Sequence, residues 1–173
     1  MEFVFKTDYN SKALKAMAKA VRKTTRAKHS RRSHFIGWAL VLLAIVIVFI
    51  SVILKQFTFN TFVTAFAGVV VMFVLVFEDG LNAFFAGKRM VKGSETATVV
   101  FKEENYISST EVGTTEFKYS VISTIAHTGK YIIFVLDKNH AQAYDLSSIE
   151  NGSKKQFISF IEDKTGKSVV KIK

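Results

Sequence analysis

The sequence predicts a membrane α-helical hairpin joined to an α+β domain of antiparallel strands with one C-terminal helix. Three observations carry that prediction. Two uncharged apolar stretches, residues 35–54 and 57–77, lie almost back to back. Nine Lys and Arg residues with no acid among them crowd the segment just before the first stretch. After Gly93 the apolar residues fall into the two-residue period of strands, and only near the end do they return to a helical period.

The chain opens with an alternating segment, residues 2–6, in which Phe3 and Phe5 share one side of an extended backbone. So short a strand needs a partner, and the strands that follow the apolar stretches are the expected one. From Ser11 the period changes. Leu14, Met17, Ala18 and Val21 fall at the spacing of one helix face, with Asn10 or Ser11 placed to cap it. Lys12, Lys15, Lys19, Arg22 and Lys23 surround that face, and Arg26, Lys28, Arg31 and Arg32 complete the basic cluster.

The formal charge of the whole chain is +10, which suits nucleic acid, anionic lipid or membrane topology. The cluster adjoins an apolar stretch and brings no base-reading motif, so lipid headgroup contact by these nine side chains is expected and nucleic acid is not. The helix's apolar face has two places to go: the headgroup region of a bilayer, or the protein itself, as a continuation of the first span or packed on the C-terminal domain.

Residues 35–54 carry no charge and no polar stripe, and twenty helical residues at ~1.5 Å each cross a ~30 Å hydrocarbon core. Trp38 near the start suits an interface. Residues 57–77 are likewise uncharged, with Asn60, Thr61 and Thr64 in the first turns and Thr58 or Asn60 as candidate caps. The intervening Lys55 and Gln56 allow only a tight antiparallel turn. Basic residues lead into the first span and Lys88, Arg89 and Lys92 follow the second, whereas Lys55 alone lies between. Both termini are therefore expected in the cytoplasm. The length of the apolar run and the second span behind it speak against a cleaved signal peptide.

Thr64 and Gly68, with Ala65 and Ala67 beside them, offer a small-residue face to the neighbouring span or, as a homo-oligomer, to a second copy. Glu78 and Asp79 read as interfacial residues at the inner end of the second span.

Strands are expected at residues 97–101, 106–109, 115–119, 121–126, 131–136 and 142–146. The turns between them are carried by Glu103 to Asn105, Glu111 to Thr114 around Gly113, Thr128 to Lys130, and Asp137 to His140. Residues 131–136 are the most apolar and therefore central. Asn151-Gly152-Ser153 supplies the start of a helix that carries Phe157, Phe160 and Ile161 on one face and stops at Gly166, and a short strand at 168–172 is expected after it. Antiparallel strands closed by one C-terminal helix suggest a pleckstrin-homology-like (PH-like) split barrel. The segments are then 1–34, strand and basic helix; 35–54, first span; 57–85, second span with its extension; and 94–173, the PH-like domain.

The order of these parts resembles the YcxB-like family of bacterial membrane proteins. FVFKTDY stands as the N-terminal strand, ALKAMAKAVRKTTRAKHSRR as the basic helix, and the two spans follow. The family's C-terminal signature looks like Phe101-Lys102-Glu103, Gly113, Tyr119 with Ile122 and Ile125, the strand from Tyr131, and Phe157 with Phe160. Where family members often carry a Pro-containing segment before the last helix, this chain reads AYDLSSIENG. The resemblance implies a multi-pass protein of the bacterial cytoplasmic membrane and a fold, and no enzymatic role that could be carried over.

Signatures of chemistry are missing. No cysteine is present, which excludes disulfides and thiolate chemistry. His29, His34, His127 and His140 have no metal spacing, the serine pairs lack a nucleophile elbow, and the Gly-Lys dipeptides lack a phosphate loop. No catalytic residue, metal site or cofactor is expected. The expected role is a non-enzymatic module at the anionic inner leaflet that binds a protein partner or a lipid headgroup. The alternative is self-immunity against a membrane-active peptide.

Overall fold

The computed structural model describes residues 2–172. The order of elements is β1 (Phe3–Asp8), α1 (Ser11–Lys23), α2 (Ala27–Ile53), α3 (Phe59–Arg89), β2 (Thr96–Phe101), β3 (Asn105–Thr110), β4 (Gly113–Lys118), a 3-10 turn (Tyr119–Val121), β5 (Thr124–Thr128), β6 (Tyr131–Val135), β7 (Ala141–Asp145), β8 (Ile149–Glu150), α4 (Lys154–Thr165) and β9 (Val170–Lys171). The chain divides into two units, one holding Ala27–Leu81 and the other the chain up to Arg26 together with everything from Asn82 onward.

In the β unit the N-terminal strand is an interior strand. The first sheet runs β4-β3-β2-β1-β8, with β1 antiparallel to β2 (Phe3 opposite Phe101, Phe5 opposite Val99) and to β8 (Phe5 opposite Ile149). The expected pairing of residues 2–6 with the later strands is thus present. The second sheet runs β7-β6-β5-β9, antiparallel except for β9, which lies parallel to β5.

Phe3, Phe5, Val99, Phe101 and Tyr106 from the first sheet meet Ile125, Ile132, Phe134 and Tyr144 from the second in one core, and Phe157 and Ile161 of α4 join it. Phe157 ties α4 to the first sheet, with its ring centroid 5.4 Å from that of Phe3, 4.6 Å from Phe5 and 4.9 Å from Phe101. The signals that placed α4 act as expected. Ser153 and Gln156 form a reciprocal capping box, and Gly166 ends the helix at φ 64°.

Every residue of β6 is buried, as a central strand requires. Ile132 and Phe134 face the shared core, while Tyr131, Ile133 and Val135 face α1. A strand covered on both faces reads as a continuous apolar run, which is why residues 131–136 stood out.

Two expectations are corrected. The strand anticipated from Val121 begins only at Thr124, because the chain changes sheets there. Tyr119–Val121 forms a 3-10 turn, closed by the Ile122 N–H to the Tyr119 carbonyl (3.1 Å), and the Ser123 N–H bonds the Val135 carbonyl (2.8 Å). That corner leaves β4 and β5 in different sheets. Accordingly the described strands form two separate sheets and do not close into a barrel. The two-residue strand β8 was not anticipated, since it exists only by pairing with β1.

In the hairpin unit, α2 has 27 residues, about 40 Å at ~1.5 Å per residue; α3 has 31, is kinked at Phe77, and from Asn82 onward belongs to the β unit. Both are long and apolar enough to cross a membrane, and only 11% and 6% of their most apolar windows are buried. A core helix of a water-soluble domain would be mostly covered, whereas here Phe35 and Phe59 are 77% and 78% exposed. Lys55 adopts the left-handed conformation at φ 50°, and the Gln56 N–H reaches back to the Ser51 carbonyl (2.9 Å), which stops α2.

Candidate functional site

Within the hairpin, the less exposed residues of α2 follow a strict alternation of three and four: His34, Gly37, Val41, Ala44, Val48, Ser51. On α3 the answering set is Thr61, Thr64, Gly68, Val71, Leu75, Glu78. This 3.5-residue period is that of a left-handed coiled-coil seam. The antiparallel register is fixed at three levels. A Cβ added to Gly68 would lie 3.0 Å from the Ala44 Cβ, one added to Gly37 would lie 2.8 Å from a Leu75 methyl, and His34 Nε2 donates to Glu78 Oε2 at 2.6 Å. Small residues let the backbones approach closely, which strengthens the dispersion contacts between the helices. Gly68 therefore faces the neighbouring helix of its own chain. Beside the Ala44–Gly68 level a wholly apolar cleft of about 270 Å³ opens between Val41, Ile45, Val48, Val69 and Met72.

The His34–Glu78 pair was not legible from spacing, because its members are 44 positions apart. The usable signal was the recurrence of small residues every seventh position on α2 (Gly37, Ala44, Ser51), which fixes the seam and so the register. Pairing at the end of the seam suits two polar side chains that would otherwise border an apolar stretch.

The nine basic residues fall in two groups. In the β unit, α1 turns Ala13, Ala16, Ala20 and Val21 onto Ala126, Tyr131, Ile133, Val135 and Ala143. The helix thus packs on the second sheet, but by a face rotated from the one read in the sequence: Val21 joins that cluster and Met17 packs partly against it, whereas Leu14 borders Gly87 and Ala18 is half-buried. Asn10 caps it, accepting from the Lys12 and Ala13 N–H groups. Lys12, Lys15 and Lys23 are exposed, Lys19 and Arg22 are half-buried, and Arg26 is exposed in the turn after α1. In the hairpin unit, Lys28, Arg31 and Arg32 are exposed on the first turns of α2, at the i, i+3, i+4 spacing of one face.

The remaining polar groups of the β unit serve its own architecture. The Tyr106 and Tyr144 hydroxyls both donate to Gln142 Oε1 at 2.8 Å, and the Tyr119 hydroxyl donates to the Lys102 carbonyl at 2.6 Å. Burial pushes the Tyr9 phenol up to about 12 and raises those of Tyr106, Tyr119 and Tyr144 as well. These are phenols held neutral as donors.

Burial opposes the charge on Asp145, but hydrogen bonds from Lys130 and Ser147 outweigh it and hold the carboxyl below its ordinary range. Lys164 does the same for Glu103, and the Asn139 N–H followed by His140 does so for Asp137 in the β6–β7 turn. Among the described residues, no three His, Asp or Glu side chains gather as metal ligands. No protein-family model, curated protein or solved structure matches the chain.

Proposed function

We propose that the chain is a non-enzymatic, membrane-anchored module of the bacterial cytoplasmic membrane. In this reading the hairpin crosses the bilayer with both termini in the cytoplasm. The β unit, PH-like and akin to the YcxB-like family, stands at the anionic inner leaflet to bind a lipid headgroup or a protein partner. The observation that carries the reading is the division of labour on α1: its alanine face is spent on the second sheet, and Lys12, Lys15 and Lys23 are left exposed. Charge placement supports the orientation, because basic residues flank the outer ends of α2 and α3 whereas Lys55 stands alone in the turn between them. Each basic residue near an anionic surface contributes roughly 1 kcal/mol.

The test uses Trp38, the single tryptophan, as an energy-transfer donor in the reconstituted full-length protein. Transfer to acyl-labelled phosphatidylglycerol should exceed transfer to acyl-labelled phosphatidylcholine, and Lys12→Gln, Lys15→Gln and Lys23→Gln together should reduce the excess. Equal transfer from both lipids at low and high salt would refute headgroup contact.

A further inference from the structure

We propose that the β unit carries a lipid-facing rim of its own, formed by the last turns of α3 and the tip of the β3–β4 hairpin, which beds into the headgroup boundary of an anionic bilayer. The inference rests on the membrane-anchored reading above and adds a second, aromatic contact at a site outside the α1 lysines.

The last two turns of α3 have two unlike faces. Ala83 is buried, and a Cβ at Gly87 would touch a Leu14 methyl of α1 at 3.3 Å, so this face packs inward. Phe84, Phe85 and Lys88 point the other way. The two rings are 56% and 54% exposed, with the Lys88 ammonium 4.6 Å from the centre of the Phe84 ring. Arg89 and Lys92 follow, with exposed Val91 between them.

The chain then turns at Gly93, where the β3–β4 tip meets it. The Glu111 N–H donates to the Gly93 carbonyl (3.2 Å), and a Cβ on Gly93 would lie 3.3 Å from a Val112 methyl. Val112 is itself 57% exposed. Apart from these four, the large hydrophobic side chains left exposed among the described residues of this unit are Val121 and Val170.

Every other aromatic side chain described in this unit is buried or, like Tyr9, Phe117 and Phe160, half-buried, so two exposed phenylalanines side by side have no reason to stand in water. Their occupant follows from charge and continuity. Lys88, Arg89 and Lys92 complement an anionic surface, and the rings sit on the same helix as the second apolar stretch. Aromatic rings flanked by Lys and Arg are what an interfacial segment presents to the headgroup–acyl boundary.

The full-length protein in a Trp38→Phe background receives one tryptophan, at Phe85, Val112 or, as a control on the exposed side of α4, Ser159. Each variant is reconstituted in phosphatidylglycerol–phosphatidylcholine bilayers with and without brominated acyl chains. The proposal expects Phe85→Trp and Val112→Trp to be blue-shifted and quenched by brominated lipid, and Ser159→Trp to be quenched by aqueous acrylamide alone. Quenching of Val112→Trp by acrylamide alone overturns it. A Val112→Cys variant carrying a small environment-sensitive dye gives the same reading should the indole disturb the turn. Native Trp38 reports the underlying anchor: if it is quenched while Val112→Trp is not, only the rim fails, and if it too escapes brominated lipid the anchored reading fails.

Discussion

Ala44 on α2 and Gly68 on α3 stand so close that a Cβ built on the glycine would lie 3.0 Å from that of the alanine. The approach exists because both positions are small, and it sets the register of the whole hairpin, from Gly37 under Leu75 to His34 against Glu78. The seam is intramolecular, so the small-residue face read from Thr64 and Gly68 is occupied within one chain.

That geometry makes a crosslinking prediction. The native chain has no cysteine, and disulfides need Cβ atoms about 3.5–4.5 Å apart. Ala44→Cys with Gly68→Cys should oxidise readily within one chain, with a small relaxation of the helices. Ala44→Cys with Val70→Cys, on the exposed side of α3, should not. Non-reducing electrophoresis after cleavage in the helix-connecting turn distinguishes them.

The N-terminal strand should be as necessary to the β unit as any later one. Phe5 is fully buried and its ring packs on Phe101, Tyr144 and Phe157. Phe5→Ala should therefore cost about 3–5 kcal/mol, and removal of β1 should abolish cooperative unfolding of the β unit. The check is the near-ultraviolet dichroism melt of the reconstituted protein.

Gly152 should not accept a side chain. Its φ is 154°, and a Cβ would lie 2.6 Å from a carbon of the buried Phe3 ring. Because that ring is locked against Phe157 and Phe160, Gly152→Ala should destabilise by about 1–3 kcal/mol through overpacking, read as a lowered Tm.

Stability of the β unit should fall at both ends of the pH scale. Asp145, held below its ordinary range, contributes stability above the unfolded carboxylate pKa of about 4, and this is lost as pH falls through the lower folded value. The phenols of Tyr9, Tyr106, Tyr119 and Tyr144 are raised by burial, so they contribute below the unfolded pKa of about 10 and lose that contribution as pH rises above it. Asp145→Asn should flatten the acid limb and leave the alkaline limb in place, as denaturant midpoints measured across pH will show.

The sequence was legible wherever structure is local. Both apolar helices, α1, the capped α4 with Gly166 behind it, and most strands follow from periodicity and turn residues alone. That β1 needs a partner was legible too, because so short a strand does not stand alone, but its place between β2 and β8 was not. What could not be read was set by contacts distant in sequence. Tyr119–Val121 leaves the strand pattern because the chain changes sheets there, and β8 is a strand only because β1 lies beside it. His34 and Glu78 meet only once the hairpin register is known. The basic residues were found by composition, yet the reason α1 presents them outward, the use of its alanines against β6, lies in the sheet.

The most direct test of the account is the sidedness of two single cysteines, Gln56→Cys in the helix-connecting turn and Ser159→Cys on α4, probed in intact cells with a membrane-impermeant maleimide. The account predicts that Gln56→Cys is labelled at once and Ser159→Cys only after permeabilisation. Labelling of Ser159→Cys in intact cells, or protection of Gln56→Cys until the membrane is opened, would contradict it.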